Sequence, residues 1–523
     1  MNKNYLFYSV LSGILLGLSW PTYGLTILIF ISFVPLLYLE KLIRNDSSLK
    51  VFLYSYLSFF IWNSITTWWL IYSTFFGMSF AIIVNSLLMA LVFLSYSIIS
   101  KKLNKKLSII YWVSSWIVFE KFHLYWDFSW PWLNLGNVFS EKTLWIQWYE
   151  YTGSFGGTLW VLIVNYLFLL AYNSYTKTKN IDIIKISSSI LVISIPIIIS
   201  LLIYSFQQDD KEYISVAVLQ PNIDPYTEKY GKTNISILQD FKSLVDSSVK
   251  SSDVIIAPET YFSESPGFLI DRFHESPLFL SLNDYLNKKN SQLLSGIQFY
   301  KIYNSSLKKS ETSNYIKDSL WIDVYNSSFL ISKNQNPQIY HKSKLVVGVE
   351  NMPYKNILEP LLGNTLLNMG GTVLSRGTQP NRSVFKLDNG VKIGPIICYE
   401  SVYGEYVTEY IRNGAQVLAI ITNDGWWNES QGYKQHLSYA KIRSIETRRN
   451  IIRSANTGSS AIINKKGEII EKIGYNQAGV INSKTGITNL VTVYVKYGDF
   501  IFRFSLFFFT VIVLYYFGKK KKI

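Results

Sequence analysis

The chain has 523 residues, 49% of them hydrophobic and 16% aromatic, with a formal charge of +15. One cysteine excludes an intrachain disulfide, and the four histidines (His123, His274, His341, His436) come with no HExxH or CxxC spacing, which argues against zinc or an iron–sulfur cluster. The basic residues fall in short clusters between apolar runs, a membrane-protein pattern, so a nucleic-acid partner is not expected.

Residues 1–206 read as a membrane domain. Apolar segments of about 17–25 residues, the length that crosses a bilayer, recur near 5–22, 24–40, 51–73, 76–100, 107–123, 155–174 and 186–206. The first is expected to be a retained helix: it lacks an A-x-A cleavage site and a second apolar run follows at once. Lys41, Arg44 and Lys50 follow the second segment; Lys101, Lys102, Lys105 and Lys106 the fourth; Lys177, Lys179 and Lys185 the sixth. A last apolar run, "FIFRFSLFFFTVIVLYYF" (500–517), ends in Lys519 to Lys522. Eight spans place every basic cluster on one side, which the positive-inside rule makes the cytoplasm. Residues 207–498 are then expected outside it, with 499–523 as the eighth span and a basic cytoplasmic tail.

From Asp209 the sequence has an α/β rhythm. The stretches 214–223, 253–260, 291–300, 319–331, 391–400 and 416–424 read as strands. "HLSYAKIRSIETRRNIIRSA" (436–455) has helical spacing, with Ile442, Ile445, Ile451 and Ile452 on a core face.

The lone thiol, Cys398, ends the apolar strand of "GPIICYES". Two readings stand: a small buried apolar residue, or a nucleophile held where a rigid scaffold meets substrate-binding loops. Glu400, two residues on, shares its face if the strand continues. "YKNILEPLLGNTLLNMGGTVLSRG" (354–377) carries Leu361 and Leu362 in an apolar stretch, either a helix packed on the core or an arm that admits acyl chains. Trp126, Trp130 and Trp132 fit an interfacial aromatic belt. No G-x-S-x-G supports a serine hydrolase.

These motifs resemble the nitrilase superfamily, and within it the apolipoprotein N-acyltransferases. "IIAPETYF" resembles the glutamate motif and offers Glu259. "YHKSKLVVGVENMPY" resembles the lysine motif and offers Lys342, with Glu350 beside it and Lys344 as a neighbour two residues away. "GPIICYES" is similar to the cysteine motif and offers Cys398, followed by Tyr399 and Glu400. "LQPNID", "SRGTQP", "NDGWW", "SWPWLNLGNVF" and "QHLSYAKIRSIETRRNIIRSANTGSSAII" extend the resemblance over nearly the whole chain.

The resemblance implies a multi-pass α-helical membrane domain of eight transmembrane helices joined to an α-β-β-α sandwich. It implies Glu259 as general base, Lys342 as oxyanion stabiliser and Cys398 as nucleophile, with Glu350, Tyr399 and Glu400 in support. Trp426, Trp427, Leu361 and Leu362 are candidate substrate contacts. The implied reaction moves a fatty acyl group from a phospholipid of the phosphatidylethanolamine kind, through a thioester, to the α-amine of a diacylglyceryl-cysteine on an apolipoprotein. The implied setting is the bacterial inner membrane with the catalytic domain in the periplasm, and no metal or organic cofactor is implied. The alternatives are a membrane-anchored amidase on small amides and a non-catalytic membrane protein with a decayed nitrilase domain.

Overall fold

The structure is a computed structural model that describes residues 3–520 except 230, 305–309, 311, 318, 334, 356 and 358–374. The chain divides into two compact units, 1–207 with 497–523, and 208–496.

The first unit is helical: α1 (Lys3–Ser19), a short 3-10 turn leading into α2 (Val34–Ile43), α3 (Ser48–Thr67), α4 (Phe75–Ser100), α5 (Lys105–His123), the single turn α6 (Tyr149–Thr152), α7 (Ser154–Thr178), α8 (Ile183–Phe206) and a C-terminal helix Phe500–Lys520. Helical stretches thus lie at each of the eight expected spans. Among the described residues, five are long and apolar enough to cross a membrane: Thr26–Ile43, Phe75–Ser100, Ser154–Thr178, Ile183–Phe206 and Phe500–Gly518. The helix starts follow from local chemistry. Thr74 and Asn104 accept from the backbone N–H of Gly77 and Leu107 at 2.8 and 2.9 Å, satisfying donors that have no partner within α4 and α5.

Buried polar groups fix the irregular parts of this unit. Asn165 accepts from Phe33 N–H at 2.8 Å and donates to the Ile29 carbonyl at 2.7 Å, across the break between the 3-10 turn and α2. Glu120 accepts from Leu135 N–H and the Thr158 hydroxyl, both at 2.7 Å, and so pins the "WLNLGNVF" segment. Trp132 departs from the aromatic-belt reading. It is buried, with its ring centroid 5.1 Å from that of Trp69, because this segment folds back into the helices.

The second unit contains two sheets. The first runs β14 (Gly479–Ile487), β1 (Glu212–Gln220), β2 (Val254–Ile256), β4 (Gln292–Asn304), β6 (Leu320–Ile331), β5 (Asn314–Lys317), with β3 (Phe268–Leu269) beside β4 and β7 (Gln338–His341) beside β6. The second runs β13 (Ile469–Lys472), β12 (Ala461–Ile463), β11 (Ile451–Ala455), β10 (Val417–Thr422), β9 (Lys392–Ile397), β8 (Phe385–Lys386). The sheets meet at β1 and β11, where the Ser454 hydroxyl donates to the Leu219 carbonyl at 2.7 Å.

Helices α9 (Asn234–Ser248) and α10 (Pro277–Lys289) cover the first sheet, placing Phe241, Val245, Leu282 and Leu286 on Ile255, Leu293 and Ile297. Helices α11 (Gly404–Arg412) and α12 (Gln431–Thr447) belong to the second sheet's side. This is the α-β-β-α sandwich that the resemblance implies. Strands covered on both faces are apolar along their whole length, as in the fully buried "VLAIIT" of β10.

Two expectations are corrected. The helix expected over 436–455 begins five residues earlier and ends at Thr447: Arg448 takes a left-handed conformation (φ +50°), and the chain re-enters the sheet as β11. Ile451 and Ile452 therefore face the core from a strand, which suits β-branched side chains. Strand 391–400 stops at Ile397, so Cys398 and Glu400 lie on a 3-10 turn and not on one face of a continuing strand.

Candidate active site

β9, β10 and β11 are parallel, and β2 is parallel to β1 and β4. Groups that chemistry needs sit just past the ends of such strands, where a rigid scaffold presents loop residues at one edge. Glu259 lies three residues beyond β2, Lys342 follows β7 directly, and Cys398 follows β9 directly.

The Glu259 turn is shaped by Gly296 on β4. Tyr261 N–H donates to the Gly296 carbonyl at 3.1 Å, and Gly296 N–H to the Pro258 carbonyl at 3.1 Å. A Cβ on Gly296 would stand 2.3 Å from the Thr260 nitrogen, so only glycine lets the turn approach. Cys398 has φ +50°, a conformation that costs a non-glycine residue about 1–3 kcal/mol and is held only where its surroundings over-determine it.

Lys342 is the electrostatic centre. It is 1% exposed, and its Nζ lies 2.9 Å from Glu259 Oε1 and 2.9 Å from Glu350 Oε2. Burial alone lowers a lysine pKa, but the two carboxylates override it and hold Lys342 well above its usual range. Glu350 shows the converse: burial raises it, Lys342 and Arg376 outweigh that, and its pKa falls. Asn326, inward-facing on β6, donates from Nδ2 to both Glu259 and Glu350 at 2.8 Å and ties the two acids together. The Cys398 thiol is pushed up chiefly by burial and then by the Glu259 charge, while Lys342 and a hydrogen bond with Thr422 oppose the shift. The resting thiol is therefore protonated, and a base has to take its proton before it can attack.

The supporting residues are held by their own contacts. Glu400 is fully buried and accepts from Ile397 N–H at 2.8 Å, Ser343 N–H at 2.7 Å, and the hydroxyls of Tyr340 and Tyr406 at 2.7 and 2.5 Å. It clamps the turn after β9 to the loop that carries Lys342. Tyr399 is buried, its ring centroid 5.3 Å from that of Tyr403. Lys344 turns away and lies 4.9 Å over the Tyr403 ring. Trp427 packs perpendicular to His436 with ring centroids 5.5 Å apart and Trp426 likewise on Tyr226 at 5.3 Å, so both brace the turn after β10. Leu361 and Leu362 lie outside the described residues.

The sequence reading missed a second polar layer behind Cys398. His436 on α12 hydrogen-bonds the Cys398 carbonyl at 3.2 Å and Ser401 Oγ at 3.0 Å. Its other nitrogen lies 3.0 Å from Asp424, which is also held by Arg453 at 2.7 Å. Burial raises the Asp424 pKa, but Arg453 and His436 outweigh it and hold the carboxylate ionised. The signal was present in the acid of "NDGWW" and the histidine of "QHL", twelve residues apart. Lys229 was also passed over, because "YTEKY" reads as an ordinary solvated turn.

The sequence pattern of the family described as carbon-nitrogen hydrolase matches residues 215–485, and that of the apolipoprotein N-acyltransferase N-terminal domain matches 12–167. The chain belongs to the carbon-nitrogen hydrolase family. Among curated relatives, an apolipoprotein N-acyltransferase of Chlorobaculum tepidum is 28% identical, covering 95% of this chain and 93% of the relative. One of Thermotoga maritima is 24% identical, covering 96% and 92%. One of Rickettsia prowazekii is 28% identical, covering 86% and 83%. Among solved structures, Saccharomyces cerevisiae Nit3, a member of branch 10 of the nitrilase superfamily, aligns with a TM-score of 0.37 at 16% identity, covering 54% of this chain and 92% of its own.

Proposed function

We propose that the protein is an apolipoprotein N-acyltransferase, acting in lipoprotein maturation by transferring a fatty acyl group to the N-terminal amine of a diacylglyceryl-cysteine. The observation that carries the reading is one buried lysine bonded to two carboxylates beside the only thiol of a membrane-associated carbon-nitrogen hydrolase fold. The relatives that match nearly end to end bear the same activity in their names.

Each residue has a role in a balanced sequence. Glu259 takes the thiol proton and the Cys398 sulfur adds to the ester carbonyl of a phospholipid donor. Lys342 stabilises the tetrahedral oxyanion. Collapse breaks the ester C–O bond, the lysophospholipid alkoxide takes the proton back from Glu259, and a thioester remains. The α-amine then adds to the thioester carbonyl, Glu259 accepts its proton, the thiolate leaves, and that proton returns to Cys398. Phosphatidylethanolamine as donor, the inner membrane as location and a periplasmic orientation of the catalytic unit belong to this proposal.

The test is intact-mass measurement after incubation with phospholipid vesicles and no acceptor. The expected result is one added acyl group on Cys398, removable by hydroxylamine, with release of lysophospholipid. Transfer that proceeds only with both substrates present, with no adduct at any time, overturns the covalent route. Hydrolysis of small amides without acyl transfer favours the amidase reading.

A further inference from the structure

A second buried lysine faces the site. Lys229, on the loop between β1 and α9, is 4% exposed, and its Nζ donates to the backbone carbonyl of Glu259 at 3.2 Å. The loop holding it is braced at several points. Asp224 accepts from the Tyr226 and Thr227 N–H groups at 2.8 Å, Lys229 N–H donates to the Asp224 carbonyl at 2.9 Å, and the Ser263 hydroxyl donates to the Lys229 carbonyl at 3.3 Å. Tyr226 on the same loop donates to the Trp426 carbonyl at 3.1 Å. A lysine is rarely fully buried without a partner charge, and among the described residues this ammonium donates to a neutral carbonyl, so the charges around it bear on why it is there.

Those charges are Glu259 after β2, Cys398 after β9, Lys342 after β7 and Arg376 on the loop ahead of β8. Lys342 is bonded to two buried carboxylates, Glu259 and Glu350, and Arg376 acts on Glu350 as well. Lys229 brings a third positive charge against the two carboxylates, one in excess before the thiol ionises and balanced once it has.

We infer that Lys229 is a positioning and charge-compensating residue for the acyl-transfer chemistry, holding the Glu259 turn by its hydrogen bond and favouring negative charge on Cys398 by its ammonium. The inference deepens the proposed function and rests on Cys398 as the nucleophile. Burial lowers the Lys229 pKa to about 8, with Glu259 and Cys398 the leading opposing influences, so its charge is present below that pH and lost above it.

A chain with a single cysteine allows a direct test: the rate of Cys398 alkylation by iodoacetamide against pH, on the full-length protein in detergent micelles. In the unsubstituted protein the rate climbs with pH as the thiol ionises, and the climb flattens above about pH 8 as Lys229 loses its proton. Lys229→Gln keeps a donor for the Glu259 carbonyl and removes the charge. It is expected to slow alkylation about tenfold at neutral pH and to abolish the flattening. Lys229→Arg keeps the charge at every pH, so it is expected to stay near the unsubstituted rate and to climb without flattening. A Lys229→Gln profile that superimposes on the unsubstituted one overturns the inference. If Lys229→Gln fails to fold, a Lys229→Arg profile that still flattens near the same pH overturns it. Failure of the underlying reading is distinguishable, because acyl transfer then survives Cys398→Ala whatever the alkylation profiles show.

Discussion

Lys342 is a buried charge to which the proposed function adds a chemical role beside the structural one. Its ammonium sits between two carboxylates, so Lys342→Ala leaves both buried, Glu259 with Lys229 and Glu350 with Arg376 as remaining cations; breaking such a set costs about 3–5 kcal/mol. Adding Glu350→Gln removes one of the two acids. The expected outcome is that the double variant recovers part of the lost thermal midpoint while acyl transfer stays at least about 100-fold down. Recovery of transfer together with stability would make Lys342 a structural residue. Lys344→Ala, by contrast, is expected to stay within about threefold, since that side chain lies over the Tyr403 ring. The sequence could rank the two lysines only by resemblance. What separates them physically is that Lys342 follows β7 directly and points inward, whereas Lys344 is two residues further along the same loop.

At the level of elements, the strands rich in β-branched residues were legible and the short edge strands were not. β3, β7 and β8 have two to four residues each, too few for an alternating pattern to register. The overrun of α12 has a similar cause. "RRNIIRSA" continues a helical spacing, and nothing in the sequence marks Arg448 as the left-handed residue that turns the chain into β11. The polar layer on α12 was hidden because its histidine and the Asp424 carboxylate come from different elements and meet only in the fold. His436→Asn tests what that layer does. It removes the bond from the ring to the Cys398 carbonyl, 3.2 Å long in the structure, and so loosens a backbone already at φ +50°. The expected outcome is a drop in kcat of about tenfold with little change in KM, because the turn is mis-set before chemistry and donor binding is untouched. A KM increase at constant kcat would place His436 in substrate binding instead.

For the whole molecule, the sequence carries a strong statement about sidedness, because Lys41, Arg44, Lys101, Lys102, Lys177 and Lys179 all fall after even-numbered spans. The helical unit supplies a helical stretch at each expected span, and among the described residues five are long and apolar enough to cross a membrane; α5, not one of these, carries Lys105, Lys106, Glu120 and Lys121. Such a segment is stable in a membrane only with its polar groups answered. Glu120 bonds Trp116, Leu135 and Thr158, and Lys121 bonds Asp499 at 2.6 Å. A phosphatase reporter fused after Phe206 is expected to be active and one fused after Lys102 inactive. The reverse pattern would turn the catalytic unit to the cytoplasm.

The parallel strands of the second sheet have a consequence for how this fold can change over time. Past their carboxyl ends come Cys398, Asp424 and Asn456, all tied into the site or to its neighbours. At the amino ends of β9 and β10 the chain turns, through Gly390 at φ +87° and Gly414 at φ +96°. One rim of the sheet holds the residues of the proposed site, whereas at the starts of β9 and β10 the other is occupied by chain reversals. Lengthening or rewriting those two turns leaves the sulfur where it is, so the domain has a built-in region of evolutionary latitude opposite the end that carries Cys398.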